Sequence, residues 1–138
     1  MKLSNLTIDP EAIERGIWID NIPECGDLRI KTRGLQNSAW RALFNKLVQA
    51  VPVRDRRSGL STDDSERITT QCLVETCLLD WENLVDEAGA PVPVTEAGKY
   101  LADPKFAPLR NGVFLAASMV ADQYAADRAD AEKNSSAA

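Results

Sequence analysis

The stretch from Leu78 to Thr95, LLDWENLVDEAGAPVPVT, constrains this chain more than any other. Gly89, Pro91 and Pro93 interrupt any continuous helix or central strand through it, because proline lacks an N–H and glycine carries no side chain to pack. The segment reads as the end of an amphipathic helix, an acidic turn, a Gly with two prolines, and a helix cap at Thr95. Trp81 stands in the middle of this transition. So much local order implies a compact connection rather than a linker. An indole at a helix end can plug the turn while its N–H meets a carbonyl. Exposed, the same ring would anchor a partner.

The elements on either side follow from periodicity. Asp9-Pro10-Glu11 starts a short helix, with Asp9 as cap and Pro10 in the first turn, and Gly16 ends it. Ile17 to Ile22 is rich in strand formers, residues 23–27 form a turn cluster, and Leu28 to Arg33 alternates apolar and polar. The pair predicts a β-hairpin over about 17–33 with Arg29, Lys31 and Arg33 on its wet face. Trp18 is left open to either face. Two strands alone are marginal, so the hairpin must lean on helices or on another chain. Its unpaired edge is an interaction candidate, and the cations along it also discourage unwanted pairing.

Asn37 or Ser38 caps the next helix. Trp40, Leu43, Phe44, Leu47, Val48 and Val51 then make a strong amphipathic stripe, and Pro52 stops it. Residues 53–60 form a basic loop. Its Arg54, Arg56 and Arg57 are candidates for contact with an acidic partner or a phosphate; the plainer reading is a solvated connector. Ser61 or Thr62 opens a helix with acids in its first turn, and Ile68, Cys72, Leu73, Thr76 and Leu79 carry its period. Thr95 to Ala102 predicts a short capped helix. Asp103-Pro104 restarts the chain, and a last helix runs from about 108 to 130 with Val113, Phe114, Ala117, Val120, Ala121 and Tyr124 on one face. Tyr124 is a further partner-binding candidate. Residues 133–138 form a frayed tail.

Whole-chain properties narrow the function. The length of 138 residues suits one domain, here placed at 1–132, with a helical body over about 37–130. A net charge of −5 argues against general nucleic-acid binding and favours protein partners. No apolar run reaches the roughly 20 residues needed to cross a bilayer, and the first residues lack a signal-peptide core. The expected location is the cytoplasm, with no membrane association. The chain contains no His, which removes the Ser-His-Asp triad, the Cys-His dyad and imidazole metal ligands. The three cysteines, Cys25, Cys72 and Cys77, form no disulfide pattern. On an α-helix Cys72 and Cys77 would point about 140° apart, too far to join, so all three read as small buried hydrophobes.

The acids Asp80, Glu82, Asp86 and Glu87 suggest a divalent-cation site only superficially. Counted from Asp80, the sixth position of an EF-hand loop is Val85 rather than Gly, and the twelfth is Pro91 rather than Glu. No phosphate loop, nucleophile elbow or Walker pattern is present. The expectation is a protein that is not an enzyme and needs no cofactor.

The order of elements carries a resemblance. A short helix, a hairpin and two helices lead to Asp80-Trp81, then Asp86-Glu87-Ala88-Gly89-Ala90-Pro91-Val92-Pro93, then Leu101-Ala102-Asp103-Pro104. This resembles the tail assembly chaperones of long-tailed bacteriophages and prophages, whose motif has the form D-W-x-x-L-x-D-E-x-G-x-P-x-P. The likeness covers roughly residues 9–125. The family-motif residues here are Asp80, Trp81, Asp86, Glu87, Gly89, Pro91 and Pro93. The resemblance implies a non-enzymatic role in the host cytoplasm: binding the tape measure protein, helping to recruit tail tube subunits, and leaving before the virion is complete. It also allows self-association. The alternative is a structural tail or head–tail connector protein retained in the virion. The expected fold is α+β and predominantly helical, an N-terminal β-hairpin packed on a bundle of about four to five helices.

Overall fold

Three short antiparallel strands and six helices make up the described residues, 1–8 and 10–120, of the computed structural model. The helices are α1 (Pro10–Arg15), α2 (Ser38–Ala50), α3 (Val53–Arg56), α4 (Thr62–Cys72), α5 (Ala97–Leu101) and α6, which covers 107–120. The strands are β1 (Ile17–Ile19), β2 (Arg29–Thr32) and β3 (Leu78–Glu82), ordered β1-β2-β3 in one sheet. The fold is α+β and mainly helical, as the periodicity predicts. Asp9, the expected cap of α1, and the expected continuation of the last helix through Tyr124 to the tail lie outside the described residues.

The largest departure from expectation is β3. Residues 78–81 do not end a helix; they pair with β2, placing Ile30 opposite Trp81 and Arg29 opposite Glu82. Two causes combine. Helix α4 loosens into a π-helical turn at Leu73–Cys77, in which the Thr76 hydroxyl donates to the Cys72 carbonyl at 2.7 Å. A hydroxyl that bonds back onto its own helix competes with the regular ladder. The Leu78 N–H then closes the wider turn onto the Leu73 carbonyl, as π winding requires. Beyond that point the chain meets the free edge of β2, whose unpaired backbone groups need partners. Leu78 and Trp81 turn inward while Asp80 and Glu82 stay exposed, and a bulge between Lys31 and Thr32 in the register absorbs the extra residue. The hairpin therefore does not wait for another chain along its second strand, because β3 occupies that edge.

Ile19, Ile30 and Trp81 line the inner face of the sheet and join one core cluster with Trp40, Ile68, Leu73, Leu101, Val113 and Val120 from the helices. On the outer face Trp18 opposes Lys31. The Arg29 guanidinium lies 5.0 Å from the Trp18 ring centre and reaches Asp20 at 2.6 Å and Glu82 at 2.7 Å. Both carboxylates hold Arg29 further toward its charged form. Arg33, expected beside Arg29 and Lys31, is only partly exposed, and its Nε is buried without a partner.

Two joints hold the sheet to the helices. At Gly16 the chain turns from α1 into β1 with φ +86°, and a Cβ there would sit 2.8 Å from Leu79 Cδ1 and 3.0 Å from the Thr32 carbonyl oxygen. Only glycine meets both demands. At Asn37 a fully buried amide does three jobs. Its oxygen caps α2 by accepting from the Trp40 N–H at 2.9 Å, and its NH₂ donates to the Gly34 carbonyl at 3.0 Å and the Thr76 carbonyl at 3.2 Å. That resolves the choice of cap in favour of Asn37. Ser38 instead gives its hydroxyl and its N–H to the Glu14 carboxylate, both at 2.8 Å. These bonds, the hydroxyl's first, hold the Glu14 carboxyl below its ordinary value.

Thr95 does not cap the following helix. It lies inside a 3-10 turn, Val94–Glu96, that starts from Pro93, and α5 continues directly from it without a side-chain cap. Asp103 does cap as expected, accepting from the Lys105 N–H at 3.1 Å at the head of a second 3-10 turn, Pro104–Phe106.

Candidate functional site

The segment after β3 folds into a small closed unit. Asn83 adopts φ +66°, and the chain then doubles back so that Val85 bridges Pro91. Backbone bonds run from Asp86 N–H to the Ala90 carbonyl at 2.8 Å and from Val92 N–H to the Leu84 carbonyl at 2.9 Å. The Asp86 carboxylate accepts from the Ala88 N–H at 2.9 Å and the Ala90 N–H at 3.0 Å, so it organises its own loop. Gly89 supplies the left-handed residue at φ +83°. Trp81, 6% exposed, crosses beneath this loop and donates its indole N–H to the Val92 carbonyl at 2.6 Å. The ring is a turn plug, and its polar edge closes the unit against the sheet.

Each acid of this segment is therefore engaged or apart from the others. Asp80 accepts from the N–H of Trp81, Glu82 holds Arg29, Asp86 caps its loop, and Glu87 is exposed at the loop. No group of three or more His, Cys, Asp or Glu side chains among the described residues is placed to hold a metal ion. The motif is a self-supporting structure whose parts require one another.

The basic loop is not three equivalent cations. Val53–Arg56 forms one helical turn, α3. Arg56 is half-buried and donates its Nε–H to the Val51 carbonyl at 3.0 Å and its NH2 group to Gln49 at 3.4 Å. It satisfies the end of α2, where carbonyls lack helical partners. Arg54 and Arg57 are exposed, and Arg54 faces Asp55 at 3.6 Å. Tyr124 lies outside the described residues.

Cys72 and Cys77 are buried as expected, whereas Cys25 is only partly buried. Burial pushes the thiols of Cys72 and Cys77 up to about 11, and Cys25 is raised for the same first reason. Reactive cysteines need the opposite environment.

A groove of about 580 Å³ runs between α4 on one side and α5 with the start of α6 on the other. Val74 and Leu101 contribute to its apolar lining, and the exposed carboxylates of Asp63, Glu66 and Glu75 stand along the α4 wall. A smaller hollow of about 260 Å³ shares Glu66 and Arg110 with it and extends the depression to Phe114, which is 40% exposed. Asp63 and Glu66 were legible as first-turn acids, but pairing α4 with α5 across a groove depends on the chain reversal through the 83–93 loop. The α2 stripe of Leu43, Phe44, Leu47 and Val48 packs on the core yet stays half-buried.

Among the described residues no helix is long and apolar enough to cross a membrane. No curated protein and no solved structure matches the chain. A protein-family model does: residues 35–134, which include α2 through α6 and the whole Trp81 unit, match the family described as YdaY prophage protein. The chain belongs to that prophage protein family.

Proposed function

We propose that this prophage protein is a non-enzymatic tail assembly chaperone. It binds the tape measure protein in the host cytoplasm and assists assembly of the tail tube around it. The observation that carries the reading is the unit from Asp80 to Pro93. Its D-W-x-x-L-x-D-E-x-G-x-P-x-P spacing is the residue-level ground of the resemblance. Trp81, Asp86 and Gly89 each occupy a position where another residue would break a specific bond or backbone angle. A spacing under that much physical constraint is a sounder basis for kinship than short matching words. The match to a prophage family supports the same setting.

The physical logic of the role is direct. A long helical client exposes apolar stripes before the tube encloses it, and such surface aggregates unless covered. A small acidic domain used in many copies along one client can cover those stripes with individually weak contacts. Co-expression with the tape measure protein of the same prophage tests this: the client should move into the soluble fraction and co-purify. A client that stays insoluble alongside abundant folded chaperone refutes the reading. Mass spectrometry of purified particles should find the protein absent or substoichiometric. Stoichiometric retention would favour a structural tail or connector subunit instead.

A further inference from the structure

We infer that the groove between α4 and α5–α6 seats the client, and that its occupant is a helical segment bearing Lys or Arg beside small apolar side chains. The inference rests on the chaperone reading for the identity of the client, and on the groove for its chemistry.

Shape comes first. The wall formed by α4 and the π-helical turn after it extends from Asp63 to Glu75, twelve steps along a helical path, or about 18 Å at about 1.5 Å per residue. That is about three helical turns, the length over which a docked helix presents successive anchors from one face. On the α5 side Gly98 and Ala102 are four residues apart, both exposed and both small. A Cβ on Gly98 would touch only Val74, at 3.8 Å, so the wall is low and a partner backbone can approach closely. Phe114, at the end of the adjoining hollow, gives the occupant an aromatic contact beyond the groove.

Charge selects among helices. Asp63, Glu66 and Glu75 have no cation within ion-pair distance among the described residues. Arg67, which also lines the groove, is drawn to Asp64 at 3.3 Å. Arg110, at the junction of the two hollows, is the remaining cation and suits a carbonyl or carboxylate of the occupant. An acidic rim over an apolar floor favours a basic amphipathic helix and repels an acidic one, including another acidic copy of this chain with its net charge of −5.

The test uses the full chain. Overlapping fluorescent peptides tiled across the tape measure protein of the same prophage are titrated with it, and anisotropy is read at low and high salt. Binding should concentrate in basic amphipathic peptides and weaken with salt. Glu66→Lys with Glu75→Lys should weaken it by about tenfold or more, which is about 1.4 kcal/mol. Ala102→Arg, which fills the groove from an exposed position, should abolish it. Glu24→Lys with Asp27→Lys makes the same charge change in the β1–β2 loop and should change binding by less than about twofold, a few tenths of a kcal/mol. Circular dichroism establishes that each variant is folded.

Several results overturn the inference: no peptide binding, preference for acidic peptides, equal losses in the groove and loop variants, or a groove occupied by a second copy, seen as a smaller sedimentation coefficient for Ala102→Arg. The two readings separate cleanly. If the wild-type chain solubilises the tape measure protein and the groove variants do so equally well, the groove falls and the chaperone stands. If basic peptides bind the groove but the tape measure protein stays insoluble, the chaperone falls and the groove stands.

Discussion

Replacing Trp81 with Ala separates a structural plug from a partner anchor. The indole is 6% exposed, sits opposite Ile30 on the inner face of the sheet, and donates to the Val92 carbonyl at 2.6 Å. Truncation opens a cavity beneath the 83–93 loop and leaves that carbonyl without its donor. A buried Trp→Ala change costs about 3–5 kcal/mol from transfer and cavity together. Against a total stability of about 5–15 kcal/mol for a domain, this is a large fraction. At about 3–5 °C per kcal/mol for a chain of this size, Tm should fall by about 9–25 °C. Urea denaturation followed by far-ultraviolet circular dichroism measures the change without relying on tryptophan emission. Trp81→Phe retains most of the packing and loses the hydrogen bond, so its loss should be about 1–3 kcal/mol. A Trp81→Ala protein with an unchanged midpoint and lost client binding would refute the argument and put the ring on the working surface.

Other substitutions test the joints. Gly89→Ala meets only backbone strain in open space and should cost about 1–2 kcal/mol. Gly16→Ala adds a clash with Leu79 and the Thr32 carbonyl, so its denaturation midpoint should fall further. Asn37→Ala removes a helix cap and the amide donor to the Gly34 and Thr76 carbonyls; its loss should exceed the roughly 1 kcal/mol of an ordinary cap, read by the same unfolding experiment. The buried thiols predict a pH effect. An unfolded thiol titrates near 9, whereas Cys72 and Cys77 do so near 11 in the folded chain, so the unfolded state loses protons first. Stability should therefore be fully present below pH 9 and decline toward pH 11, and Cys72→Ala with Cys77→Ala should flatten that slope. At pH 8 a thiol reagent should leave both residues unreacted until denaturant is added.

The motif was readable in the sequence, but its geometry was not. Gly89, Pro91, Pro93 and Trp81 identify an ordered turn because proline, glycine and a large aromatic restrict the backbone wherever they occur. They do not reveal that the preceding residues form a strand. Leu73, Thr76 and Leu79 fit a helical period, and Leu79, Asp80, Trp81 and Glu82 also fit alternation. The decision came from the free edge of β2, about fifty residues earlier in the chain, and from the π turn that released α4 in time to meet it. Thr95 missed its cap for a similar reason: Pro93 had already set the path into a 3-10 turn.

Local chemistry by itself determined the helix starts to within one residue, at Asn37 or Ser38 and at Ser61 or Thr62, together with the α2 stripe, the hairpin of β1 and β2, and the exclusion of imidazole chemistry. Those depend on neighbours within a few positions or on composition. Tertiary structure alone decided the third strand, the reach of the Asn37 amide to Thr76, and the groove beside α4. Each needs groups far apart in sequence to meet, and whether they meet depends on backbone groups seeking partners and apolar faces seeking cover across the whole fold.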